Sequence, residues 1–182
     1  MERRTKEASA PAAQPANTED RTRMVPLIDL ADLIAKTGGY GLRGDEYDTA
    51  TVALATWHQV ETNRAGVIVD HEEILMAEVG HSRAKVKVAR TGRGHWLTGY
   101  DFRNNIGGAG CAPGVWDRIA FAEKDDAIRF YANSAKTWFQ RQIESGNSCL
   151  SERARDEAAK MIDLLMRVIN PPPPAPMQLS LF

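Results

Sequence analysis

Metal-capable donors and clustered cations are the side chains in this 182-residue sequence best suited to chemistry. Asp70-His71-Glu72-Glu73, with His81 and His95, offers nitrogen and oxygen ligands, but neither an HExxH nor a nuclease-like spacing emerges. Ordinary surface residues of a helix are the simpler reading. Cys111 and Cys149 lie far apart without a CxxC pattern and read as two reduced thiols. Gly107-Gly108-Ala109-Gly110 could cradle a phosphate with backbone N–H groups, yet it lacks the Lys-Ser/Thr that completes a P-loop and opens no helix, so a loop is expected. His58 beside Trp57 reads as structural, and no Ser/His/Asp set or paired-carboxylate pattern is visible. The residues therefore nominate no catalytic group, no metal and no cofactor. The cations say more. Arg83, Lys85, Lys87, Arg90, Arg93 and Arg103 face a single acid, Asp101, with Trp96, Tyr100 and Phe102 interleaved. Basic groups with aromatics suit phosphate neutralisation and base stacking. The alternatives are a solvated strand face whose aromatics belong to the core, or a contact with an acidic protein.

The elements that must position these groups follow from periodicity. From Arg83 the period is two, with Ala84, Val86 and Val88 on one side and Arg83, Lys85 and Lys87 on the other, a half-exposed strand. Thr91-Gly92-Arg93-Gly94 supplies a turn, and His95 to Phe102 resumes with Trp96, Thr98, Tyr100 and Phe102 on one face, so the pair predicts an antiparallel hairpin. Residues 103–115 read as a loop and 118–122 as a third strand. Helices are expected over 26–36, 45–64, 70–79, 124–145 and 151–169. The fourth carries Ile128, Tyr131, Ala135, Phe139 and Ile143 at helical spacing, and the fifth carries Ala154, Ala158, Ile162, Leu165 and Ile169. The predicted class is α+β: a small three-stranded antiparallel meander packed with four to five helices.

Around this single domain, 24–170, the ends differ in composition. Residues 1–23 hold no large apolar side chain after Met1 and read as a disordered tail. The start, Met1-Glu2-Arg3-Arg4-Thr5-Lys6, leads into polar Ala/Pro-rich sequence, not a hydrophobic signal segment, and no apolar run reaches the roughly 20 residues of a membrane span. A cytoplasmic protein is expected. Beyond Asn170, Pro171 to Pro174 and Pro176 make 171–177 a stiff spacer. After it comes Gln178-Leu179-Ser180-Leu181-Phe182. This pentapeptide resembles the bacterial DNA sliding-clamp-binding motif, whose favoured form is Gln-Leu-Ser/Asp-Leu-Phe, and all five positions fit. The resemblance implies Gln178 as a polar anchor at the mouth of the clamp's pocket, Leu179 on its wall, Ser180 as a spacer, and Leu181 and Phe182 in its deep apolar subsite. The competing possibility is that Leu179, Leu181 and Phe182 cover an edge of the protein's own core.

Lys and Arg total 23 against 24 Asp and Glu, which excludes both a wholly basic DNA-coating protein and an acidic DNA mimic. What remains is a clamp-bound accessory or inhibitory protein at DNA replication or repair, at the nucleoid or replication fork, such as a phage, plasmid or other mobile element would encode. Its partners would be the clamp and, through the basic hairpin, DNA. A clamp-recruited DNA-processing enzyme such as a nuclease, and a protein-interaction module without DNA contact, are the alternatives.

Overall fold

In the computed structural model, residues 25–145 and 150–172 are described. Their order is β1 (Leu27–Asp29), α1 (Ala31–Lys36), α2 (Asp45–His58), β2 (Glu72–Val79), β3 (Ser82–Arg90), β4 (Trp96–Asn104), β5 (Gly107–Cys111), β6 (Ile119–Phe121), α3 (Lys124–Glu144) and α4 (Glu152–Ile169). The strands form one six-stranded antiparallel sheet, β1-β6-β4-β3-β2, with β5 beside β4. The α+β class agrees with the sequence. The three-stranded meander does not, because three further strands join it.

β2 replaces the helix expected over 70–79. Leu75 and Ala77 flank a bulge at Met76, and one extra residue breaks the period of two that would have marked a strand. What ties β2 to β3 is the two-residue turn Gly80-His81 between the paired Val79 and Ser82, with Gly80 at φ 58°. A side chain at Gly80 would run into the Glu157 carboxylate, which accepts the His81 N–H at 3.2 Å and the Arg153 guanidinium at 3.1 Å. This buried glutamate thus fastens α4 to the turn, and its carboxyl is held below the usual range, chiefly by that backbone N–H.

β5 replaces the expected loop. Asn104 Oδ1 accepts from the N–H groups of Ile106 and Gly107, closing a hairpin that pairs Asn104 with Gly107 and Tyr100 with Cys111. Glycine has little strand propensity, so only the backbone ladder reveals this strand. A Cβ on Gly110 would sit 2.7 Å from the Tyr100 carbonyl, a backbone atom that cannot step aside without breaking the ladder. Gly110→Ala should therefore unzip β5, lowering stability by about 1–3 kcal/mol. Amide hydrogen exchange would show it as lost protection at 108–111, with β3 unaffected.

Two expected helices are shorter than the periodicity suggested. Residues 27–29 pair with β6 before α1 begins, and α2 stops at His58, where Gln59 takes a left-handed φ of 56°. The hairpin of β3 and β4 forms as expected, closed by Thr91 N–H to His95 O at 2.9 Å. So do α3, α4 and β6, with bounds within a few residues of expectation.

Both faces of the sheet carry a core. On one, Ala84, Val86, Val88, Phe102 and Phe121 meet Ala132, Ala135, Phe139, Met161 and Leu165 of α3 and α4. Thr98 and Tyr100 also point there, Thr98 Oγ1 lying 3.2 Å from Tyr131 Oη and the Tyr100 ring stacking on Tyr131. On the other face, Leu30, Ile34 and Leu54 of the N-terminal segment close over Ala89, Leu97, Ala120 and Val115. This second core covers only the part of the face around Ala89 and Leu97. Opposite the first core, Lys85, Lys87, Asp101 and Arg103 stay outside it. Among the described residues no helix is long and apolar enough to cross a membrane.

Candidate functional site

The basic residues singled out from the sequence divide into two groups. Arg83, Lys85 and Lys87 alternate along β3 on the face away from α3 and α4, and register places Arg103 beside Arg83 and Asp101 beside Lys85. Two carboxylates hold them. Glu73 of β2 contacts Lys85 Nζ at 2.9 Å and Lys87 Nζ at 3.5 Å, while Asp101 receives Arg83 at 3.0 Å and Arg103 at 2.7 Å. Glu73 is held below the usual carboxylate range, first by its hydrogen bond from Lys85. Burial opposes ionisation of Asp101, yet the bonds and charges of Arg103 and Arg83 outweigh it and leave its carboxyl lowered. Both acids are ionised at neutral pH, so the cation surplus on this face is smaller than the stretch 83–103 alone implied.

Arg90 and Arg93 stand at the other end of the hairpin. Arg93 donates to the Trp57 carbonyl and lies 4.2 Å above the Trp57 ring. The aromatics are not arrayed with the cations for stacking: Tyr100 and Phe102 face α3, and half-buried Trp96 packs against the first core beneath Lys124. Of the reading made from sequence, the structure brings together Arg83, Lys85, Lys87 and Arg103, and separates Arg90, Arg93 and Trp96 from them. Gln178, Leu179, Ser180, Leu181 and Phe182, expected from the sequence to bind the clamp, lie outside the described residues.

The metal-capable residues also disperse. His71 Nδ1 lies 3.0 Å from the Ile68 carbonyl, Glu72 pairs with Lys124, His81 sits in the β2–β3 turn, and His95 turns inward. Among the described residues no three His, Cys, Asp or Glu side chains converge as a metal site.

Two polar constellations escaped the sequence. His58 at the end of α2 is fully buried, and its Nδ1 lies 3.0 Å from His95 Nε2. His58 Nε2 has no hydrogen-bond partner among the described residues. At the contact with His95 one ring nitrogen donates and the other accepts. Burial above all, then the charges of His95 and Arg93, push His58 down to about 4, and His95 shifts the same way. The second is Asp117, between β5 and β6, with Tyr131 of α3. Asp117 accepts the Gly114 N–H at 2.9 Å, and burial pushes its carboxyl up to about 6 despite that bond. Tyr131 is pushed up to about 12 by burial, and Asp117 and Cys111 contribute their charge. Neither group could be found locally, since their members are separated by 37 residues in one case and come from different elements in the other.

No family model matches the chain, and neither a curated protein nor a solved structure matches it.

Proposed function

We propose that the protein is a ligand of the bacterial DNA sliding clamp, docking through Gln178-Leu179-Ser180-Leu181-Phe182 and acting as an accessory or inhibitory factor at DNA replication or repair. The observation that carries this reading is the pentapeptide, each position of which fits the clamp-binding pattern. The domain's own geometry is compatible with it. α4 ends at Ile169, and Asn170, Pro171 and Pro172 are exposed, so the proline run begins at the domain surface. Prolines cannot donate to a helix or a sheet ladder, which disfavours folding the following residues back as a regular element. An extended segment also loses less conformational entropy when it docks in a groove.

The test is calorimetric titration of purified clamp with the full chain and with the chain shortened to residues 1–177. Binding should disappear on shortening while the melting temperature stays unchanged. Equal binding by both would leave the pentapeptide without a role. Loss of binding together with a clear fall in melting temperature would instead mean that Leu179, Leu181 and Phe182 complete the protein's own core.

A further inference from the structure

On the sheet face that the second core leaves uncovered, four cations share two carboxylates, Lys85 and Lys87 on Glu73, Arg83 and Arg103 on Asp101. A carboxylate divided between two cations orders both side chains without cancelling their charge. Arg103 reaches Asp101 through Nε, and its side chain is 60% exposed, so its remaining N–H groups are turned to solvent. Beside these cations the floor carries no side chains of its own: Gly110 stands opposite Asp101, and Gly108 opposite Arg103, whose side chain lies against it. The result is a hollow of about 680 Å³ bounded by Lys87, Arg103 and β5, and a second of about 500 Å³ that shares Arg103 and Asn104 with it. At the opposite end the chain from Cys111 to Pro113 crosses against Gly99. Among the described residues Glu78, which lines the second hollow, is the one further acid lining either of them.

We propose that this trough is a track for the phosphodiester backbone of single-stranded nucleic acid. Its bare glycine floor sets the preference. The glycines of β5 carry no side chain, so over this floor a flexible single strand can bring its backbone close to the sheet and its phosphates to the cations, an approach the stiffer duplex cannot match. Lys87 and Arg103 line the first hollow and Arg103 and Arg83 the second, so successive phosphates find Lys87, Arg103 and Arg83 in turn. Because Tyr100 and Phe102 turn to the opposite face, recognition is electrostatic, indifferent to sequence and steeply salt-dependent. The track rests on the charge and shape of the sheet, not on the pentapeptide, so it and the clamp reading fail separately.

Fluorescence anisotropy with an oligothymidine of ~20 nucleotides, against the full-length protein over a salt series, tests it. Lys87→Gln with Arg103→Gln should weaken binding on the order of tenfold at low salt and flatten the slope of log affinity against log salt by about 1.4. Lys87→Arg with Arg103→Lys should retain most of the affinity, which separates charge from packing, and thermal melting checks the fold of each variant. A matched duplex should bind more weakly than the single strand, and removal of residues 178–182 should change nothing. No oligothymidine binding by the folded wild type at low salt overturns the proposal, as does undiminished binding by a folded Gln variant. Equal or tighter binding of the duplex, or of polyglutamate, overturns the single-strand track in favour of a general polyanion surface.

Discussion

Changing Leu181 and Phe182 together to alanine should lower affinity for the sliding clamp by at least a hundredfold. If these side chains enter an apolar subsite, each buries surface worth about 1.5–3 kcal/mol, and truncating both removes at least 3 kcal/mol of attraction. Each 1.4 kcal/mol is a factor of ten in the dissociation constant. Calorimetry on the double variant beside the wild type measures the loss directly, and a urea melt shows whether the fold is touched. Ser180→Ala serves as an internal comparison, because a spacer contributes little; it should bind within a few-fold of wild type. An undiminished affinity of the double variant would sink the clamp reading. A Ser180→Ala loss as large as that of the double variant would show that the pentapeptide binds in a manner other than the motif implies.

The second large effect is a pair of opposed acid responses. His58 is neutral and buried, with its folded value lowered to about 4 from the ordinary 6.5. A lowered histidine contributes stability that is present above its unfolded value and is lost as the pH falls from 6.5 to 4, in all about 3 kcal/mol. Asp117 has the opposite sign. Its folded value is raised from 3.8 to about 6, so its contribution is present below the unfolded value and is lost as the pH rises through 6. The two windows overlap, and between pH 4 and 6.5 the wild type should change little on their account. Asp117→Asn removes one arm and should leave a protein that loses about 3 kcal/mol on acidification from pH 6.5 to 4. His58→Gln removes the other and should shift the response toward greater stability over the same interval, with the lowered His95 opposing part of the gain, until Glu73, Asp101 and Glu157 begin to protonate. Urea unfolding free energies at several pH values measure all three slopes. Identical slopes in wild type and both variants would mean that neither burial is coupled to folding.

How far the sequence could be read follows from where each signal resides. Residues 83–88 alternate between charged and aliphatic side chains, and Trp96, Thr98, Tyr100 and Phe102 recur at a period of two, so β3, β4 and their turn are legible locally. The stripes of α3 and α4 repeat over five turns, long enough for local periodicity to outweigh noise. The pentapeptide and the prolines before it are likewise local, and they carry the functional reading without help from the fold.

β2 and β5 were illegible for different reasons. In β2 the bulge at Met76 shifts the alternation midway, and the apolar cluster then imitates a helix, although Gly80-His81 was a usable two-residue turn signal. In β5 the glycines have no side-chain pattern at all, and only pairing with β4 makes them a strand, with Asn104 to Gly107 the one local hint. The sheet face shows the same division. Sequence alone determined that cations alternate outward along β3, because that is a property of adjacent residues. Tertiary structure alone decided that Glu73 from β2 and Asp101 from β4 hold them, that the aromatics turn away to α3, and that Gly108 and Gly110 leave a trough beside them. The same holds for His58 against His95 and for Glu157 against Gly80: contacts between residues distant in sequence depend on register and crossing of elements, and a one-dimensional pattern contains neither.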